Sequence, residues 1–217
     1  MMIDSGDKED VLVFGASGHA KVVIDCIEKQ GVYKVAYLAD DDLDLKGQVF
    51  FGYKIIGGRQ ELLSFATAPR FAIVAIGDNA IRNELSCWLV KNGFELVSAV
   101  HPMSSVARNV AVGAGTVVMA GAVINSDSQL GKNVIVNTCA SVDHDCMIAD
   151  GVHLAPGSTL CGAVVVGEES FVCAGATIGP NLHIGQRVVV GAGAAVIRDI
   201  QSDLTVVGVP AVRTDQC

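Results

Sequence analysis

The 217-residue chain is poor in aromatic residues, which make up 5% of it, and it holds one tryptophan and five prolines. A globule centred on aromatic side chains is thereby disfavoured. The 51% of hydrophobic residues and the 24 glycines point instead to aliphatic strands joined by tight turns. Basic residues are scarce as well: 15 Lys and Arg against 23 Asp and Glu leave a net charge of -8. That balance speaks against nucleic acid or an anionic membrane surface as partner, because both select basic patches. No apolar run approaches the length of a membrane span, and the opening MMIDSGDKED is charged and lacks the apolar core of a signal peptide. The seven cysteines (Cys26, Cys87, Cys139, Cys146, Cys161, Cys173 and Cys217) are odd in number and form no CxxC pair, so neither a disulfide framework nor a zinc site is indicated. These absences predict a cytoplasmic protein with reduced thiols, no metal and no membrane insertion.

What is present is a repeat. From Val106 to Val196 an aliphatic residue falls at every sixth position without a break, and four residues after each comes a second column, Val110 to Ile200, that is small or aliphatic throughout. Two inward columns at a spacing of six fit neither an amphipathic helix nor a simple alternating strand. They fit short strands wound around a prism, three hexads to a coil. Between the columns the fourth residue of the hexad is mostly Gly, Asn or Asp, as at Asn109, Gly115, Gly121, Asp127, Asn133, Asp145, Gly151 and Asp199, residues that tolerate left-handed turn angles. Residues 103–217 are therefore predicted to form a parallel β-helix, with Val206-Val207-Gly208-Val209-Pro210-Ala211 covering its open end.

Residues 11–100 alternate strand and helix patterns: VLVFGAS, a helix from about His19 to Gln30, KVAYLAD, a loop, FAIVAIGD, and a helix from about Asn79 to Asn92. This predicts a small Rossmann-like parallel α/β domain over 1–102, joined to the β-helix at His101-Pro102, where the residue before proline is held extended. Its first strand runs into Gly15-Ala16-Ser17-Gly18-His19, small residues through which backbone N–H groups and a helix N-terminus approach phosphate. Ser17 and Ala20 stand where a full GxGxxG pattern has glycine, so a redox dinucleotide is not supported. Strand two ends in Asp40-Asp41-Asp42 and the later strand in Gly77-Asp78-Asn79, with Arg82 one turn on; strand ends of this kind are where ligands collect. A helix cap at Asp78 and a solvated acidic loop at 40–42 explain the same residues equally well.

Acyl transfer from a thioester needs a base, and histidine is the natural one near neutral pH. Of His19, His101, His144, His153 and His183, His144 takes the third place of its hexad, outside both inward columns, so the core does not need it. Its neighbours eighteen residues either side, Ser126 and Gly162, are small and leave its ring reachable. Asp145 beside it is either a partner that orients the ring or simply a good turn residue.

The repeat resembles the hexapeptide-repeat acyltransferases, which implies a left-handed coil, a homotrimer, and coenzyme A bound between neighbouring β-helices. Over the whole chain GASGH, AIGDN-xx-R, IVNT, SVDHDC and VVGVPA resemble the sialic-acid and bacillosamine type of nucleotide-sugar acetyltransferase. The resemblance implies acetyl-CoA-dependent acetylation of the 4-amino group of a nucleotide-linked 4-amino-4,6-dideoxy sugar. UDP-4-amino-4,6-dideoxy-N-acetylglucosamine is the first choice, GDP-perosamine the second and O-acetylation of a sialic acid the third. It further implies His144 and Asp145 as the catalytic pair, and Ser17, Gly18, His19, Asp40, Asp41, Gly77 and Asn137 as contacts to the nucleotide sugar. His153, Gly162, Ala174 and Ala192 are implied along the coenzyme groove. His153 lies half a coil after His144, so the two can meet only across a subunit interface. A γ-class carbonic anhydrase shares the β-helix, but it uses three histidines on zinc and leaves GASGH unexplained.

Overall fold

The computed structural model describes residues 8–214; the first seven residues of the charged opening segment and Cys217 lie outside it. The N-terminal part consists of β1 (Glu9–Phe14), α1 (Gly18–Gln30), β2 (Tyr33–Ala39), a small hairpin of β3 (Val49–Phe50) and β4 (Tyr53–Lys54), α2 (Arg59–Ser64), β5 (Phe71–Val74), α3 (Asn79–Lys91) and β6 (Glu95–Leu96). Its parallel sheet has the order β2-β1-β5-β6. From β1 the chain steps outward to β2 on one side and later to β5 on the other, so a crevice opens between the C-terminal ends of β1 and β5. Helix α1 buries Ala20, Val23, Ile24, Cys26 and Ile27 at helical spacing and stops at Gly31, whose φ of 72° suits the left-handed cap.

The rest is a parallel β-helix of two-residue strands on three faces. The first face stacks Ala99–Val100, Val117–Val118, Ile135–Val136, His153–Leu154, Phe171–Val172 and Val189–Val190. The second runs from Ser105–Val106 to Ala195–Val196 and the third from Ala111–Val112 to His183–Ile184. Successive rungs pair eighteen residues apart, as Val117 with Ile135 and Ile135 with His153. The inward columns are the core: from Val118 to Val196 every sixth residue is buried. Val106, the first of that column, is 39% exposed because it sits at the open end.

Small polar residues in the second column have their own task. The buried hydroxyl of Ser128 donates to the Asp143 carbonyl at 2.7 Å and accepts from the Cys146 N–H at 3.1 Å, pinning the next corner from within. Thr116 does the same for Gly131 and Val134, and Ser170 for Gly185 and Val188. An interior hydroxyl is thus stable because both its donor and acceptor capacity are used.

Every sixth residue from Asn109 to Gly193 has a left-handed φ, including Cys139, Ala163, Glu169 and Arg187. For such side chains this costs about 1–2 kcal/mol each, which the stacked ladder imposes regardless of local preference. Asp199 departs from the expected turn pattern. The final coil is two residues shorter, pairing Val189 with Thr205; Asp199 has no left-handed φ, and the next left-handed turn, Asp203 (φ 63°), stacks on the Arg187 corner. A short antiparallel pairing of Thr205–Val207 with Val212–Arg213 then covers that end of the first face.

The outward side of the first face holds the two parts together. Ala99, Val117 and Ile135 point away from the β-helix interior and are buried in one apolar cluster with α1 and β1. At about 1.5–3 kcal/mol for each fully buried Val or Ile, this seam is a substantial interface.

Candidate active site

His144 projects from a corner between the second and third faces, with 59% of its side chain exposed. Its Nδ1 lies 2.7 Å from Asp145 Oδ2, and its backbone N–H donates to Asp143 Oδ1 at 2.9 Å. The ring rests across Gly162, one coil on: a β-carbon there would stand 2.7 Å from both Cε1 and Nε2. Ser126, on the coil before, accepts the Asp145 N–H through its carbonyl. With Nδ1 on a carboxylate the proton is held there, leaving the Nε2 lone pair free. The Asp145 hydrogen bond, and after it the Asp143 charge, hold the imidazole pKa above its ordinary value. The geometry is that of a general base with an acidic orienting partner.

A second feature lies where the two parts meet. A cavity of about 670 Å³ is lined by Gly77, Asp78, Asn79 and Ala80 after β5, and by His153, Glu169, Phe171, Arg187 and Val189 of the β-helix. His153 is buried between the Phe171 and His19 rings, whose centroids lie 4.9 and 6.2 Å away. Asn137 Oδ1 accepts the Thr138 N–H at 2.8 Å, which turns its amide nitrogen onto His153 Nε2 at 3.1 Å. Nε2 must therefore accept, and Nδ1 carries the hydrogen, with the Gly77 main chain as partner. Burial, then the charge of Arg82, push the pKa of His153 down to about 3; the same two causes push His19 down to about 4. Both rings are neutral at physiological pH. The His19 Nε2 atom is buried with no hydrogen-bond partner among the described residues.

Arg82 is the clamp of this junction and is 1% exposed. Its Nε donates to the Asn133 carbonyl at 2.8 Å, and the two terminal nitrogens donate to the carbonyls of Ile76, Gly77 and Gly151 and to Asn79 Oδ1. All five guanidinium hydrogens are thus engaged. Arg82, one turn after the strand end, has no donor left for a ligand and ties the β5 loop to the β-helix.

The strand-end loops follow the expected course. Gly15 has φ 121°, and a β-carbon on it would lie 2.7 Å from the Ala75 carbonyl oxygen, so only glycine fits between β1 and β5. Ser17 and Gly18 are exposed at the N-terminus of α1, where Ser17 makes no side-chain cap. Gly77 is exposed at the same end of the sheet, while Asp78 accepts the Ile81 N–H and so caps α3. Asp40 accepts the backbone N–H groups of Ala16 and Asp42 with its two oxygens. Asp41 accepts the Arg59 N–H and pairs with the Arg59 guanidinium at 3.0 Å. Both acidic groups thereby order the loops around the crevice.

The predicted residues thus fall into three places. Ser17, Gly18, His19, Asp40, Asp41 and Gly77 gather at the strand ends, with Asn137 and His153 facing them from the β-helix. His153, expected along the coenzyme groove, stands on this inter-part cavity. His144, Asp145 and Gly162 share the corner between the second and third faces, which is the edge of the prism opposite the first face. Ala174 and Ala192 are exposed and stack one coil apart on the corner that follows the first face. A single chain does not bring His144 to the cavity. Sequence reasoning missed the cavity wall of Phe171 and Val189. The signal for it was the outward strand position at eighteen-residue spacing, apolar at Ala99, Val117, Ile135, Phe171 and Val189 and broken only by His153, where the second face is mostly polar with Ser105, Ser141, Thr159 and Thr177 beside Val123 and Ala195. Among the described residues no group of three or more His, Cys, Asp or Glu side chains converges as a metal site, and no helix is long and apolar enough to cross a membrane.

Residues 10–89 match the family model described as the PglD N-terminal domain. The chain is 31% identical over 187 residues to the GDP-perosamine N-acetyltransferase of Escherichia coli O157:H7, covering 83% of this chain and 82% of that one. It is 34% identical over 125 residues to the UDP-N-acetylbacillosamine N-acetyltransferase of Bacillus subtilis strain 168, 52% of either chain. Among solved structures, PerB from Caulobacter crescentus in complex with CoA and GDP-perosamine superimposes with a TM-score of 0.90 at 38% identity, over 99% of this chain and 100% of that one.

Proposed function

The chain belongs to the PglD-type nucleotide-sugar N-acetyltransferases of the hexapeptide-repeat superfamily and uses acetyl-CoA, and we propose that it acetylates the 4-amino group of GDP-perosamine, with His144 of one subunit acting on a sugar held by the next. The observation that carries this reading is the separation of the two half-sites: a base on one edge of the prism and a nucleotide-sized crevice beside the opposite face. Packing three chains around an axis brings the edge of one against the crevice of another, and a homotrimer is the assembly we infer.

In that arrangement Ser17 and Gly18 offer backbone N–H groups to the diphosphate, and Asp40 and Asp41 shape the pocket for ribose and base. Asn137, fixed by Thr138 and His153, retains one amide hydrogen for the sugar. Gly162, Ala174 and Ala192 leave room for the pantetheine arm along the adjoining groove. The amine nitrogen attacks the thioester carbonyl, and Nε2 of His144 takes a proton as the C–N bond forms. Asp145 stabilises the resulting imidazolium, which returns the proton to the departing thiolate as the C–S bond breaks.

GDP-perosamine stands ahead of the UDP-linked sugar ranked first from the sequence, because a relative and a solved structure that each share most of the chain's length carry that name. The UDP sugar is the second reading, supported by the match to the bacillosamine enzyme. Thiol release from acetyl-CoA, measured against GDP-perosamine, UDP-4-amino-4,6-dideoxy-N-acetylglucosamine and a free sialic acid, tests the order. The highest kcat/KM is expected with GDP-perosamine; release with the sialic acid alone would overturn amine acetylation, and carbon dioxide hydration with stoichiometric zinc would overturn transfer altogether.

A further inference from the structure

The corner that carries His144 is braced by more than Asp145. Asp143 Oδ1 accepts both the His144 backbone N–H at 2.9 Å and the Asn125 side-chain amide at 2.8 Å. Asn125 stands eighteen residues earlier, directly above on the stack, so its amide aims the Asp143 carboxylate at the catalytic corner. From inside the prism Ser128 holds the carbonyl of the same Asp143 at 2.7 Å. Backbone and side chain of Asp143 are thus both fixed, and its negative charge acts on the imidazole alongside that of Asp145. The Asn125 hydrogen bond keeps Asp143 ionised at lower pH than an ordinary aspartate.

We propose that Asp143 is a positioning residue for transfer: with Asn125 it forms a second acidic brace that fixes the backbone of His144 and adds a negative charge beside its ring. The inference rests on His144 being the base. Among the described residues the charges that act on that ring are those of Asp145 and Asp143; by register the coil before carries Asp127 at the position of Asp145 and the coil after carries Cys161 at the position of Asp143, while Asn125 and Gly162 are neutral. Asp145 touches Nδ1 and sets the tautomer. Of His144, Asp143 contacts the main-chain N–H and not the ring, so its charge and its hydrogen bond to that residue can be separated by substitution.

Asp143→Asn keeps an oxygen for the His144 N–H and removes the charge, whereas Asp143→Ala removes both. A base must be neutral to act, so a pKa held up by nearby carboxylates places the acidic limb of kcat/KM at higher pH. Both variants should therefore move that limb to lower pH, and the His144 imidazole resonance should titrate at lower pH in the protein without substrates. The high-pH plateau of Asp143→Asn should stay within about threefold of the parent enzyme, since a slightly weaker base changes the rate little. Asp143→Ala should in addition lose about 10- to 100-fold in kcat, with KM for acetyl-CoA unchanged, because the ring is no longer held in place. A parental limb and parental His144 titration in Asp143→Asn would overturn the proposal, whether or not Asp143→Ala folds. The titration needs no turnover, so it reads Asp143 even if His144→Ala proves active and the assignment of the base fails.

Discussion

His144 and His153 lie nine residues apart in the same repeat, yet the fold gives them opposite chemistry. His144 sits on an exposed corner between two carboxylates, which raise its pKa. His153 points outward from the first face, where the N-terminal part covers it, and burial and Arg82 lower its pKa to about 3. In a coil of eighteen residues, half a coil separates an edge from the opposite face. Nine residues are one and a half hexads, so His144 falls on a turn and His153 on a strand, and what packs outside each differs as well. One histidine is poised to exchange a proton; the other is held neutral as a fixed hydrogen-bond acceptor that aims Asn137.

The contrast predicts that the two histidines fail differently. His144→Ala should lower kcat by about 10² to 10⁴, the usual contribution of a positioned general base, with no loss of thermal stability because the side chain is exposed. Thiol release and a melting curve on the same preparation check both halves. Arg82→Met should act through the other region. It leaves the carbonyls of Ile76, Gly77, Asn133 and Gly151 short of a donor, and should cost about 3 kcal/mol of stability, given 1–3 kcal/mol for each buried group left unsatisfied and partial rescue by water. Chemical denaturation measures this, and an unchanged midpoint would mean that the seam does not depend on the clamp.

The β-helix was legible because its core repeats at a fixed period, so that both inward columns follow from spacing alone. The corners were less so: Cys139, Ala163, Glu169 and Arg187 adopt the left-handed turn against their own preference, since the ladder above and below decides for them. His144 could be singled out because it breaks the column pattern, and Gly162 because it lies one coil away. Arg82 could not be read as a clamp, since its acceptors are main-chain carbonyls from Ile76 to Gly151, and carbonyls leave no trace in side-chain identity. The placement of His153 was hidden for a related reason. Periodicity locates it on a face, and which face the other part covers depends on the outward strip of Ala99, Val117 and Ile135.

Gly162→Ala sharpens the comparison from the His144 side alone. The new methyl group would stand 2.7 Å from the ring atoms Cε1 and Nε2, well inside contact distance, so the imidazole must tilt away from its position over the glycine. A displacement near 1 Å at a catalytic group costs up to about 10² in rate, so kcat should fall by about 10- to 100-fold. The φ of Gly162 is not in the left-handed region, and the backbone therefore accepts alanine. A parental kcat with an intact fold would show that the ring does not work from the observed position.

Stability against pH separates the two regions by its sign. His19 and His153 have folded-state pKa values of about 4 and about 3, below the roughly 6.5 of an unfolded histidine. The unfolded chain binds protons that the folded one refuses, so these residues contribute stability that is fully present above pH 6.5 and is lost as pH falls from there toward 3. By pH 5 the loss should be roughly 2 kcal/mol per histidine. His144 runs the other way: its raised pKa adds stability below pH 6.5 that disappears as pH rises through its folded value. That contribution is small because the group is exposed and its carboxylate partners are screened by water. Denaturation midpoints between pH 7.5 and 5 should therefore fall in the parent protein and in His144→Ala alike. They should fall less in His153→Gln, which cannot take up the proton in the unfolded state. An equal acid slope in His153→Gln would show that the buried face does not hold its histidine neutral, and the distinction between the two histidines would lose its electrostatic basis.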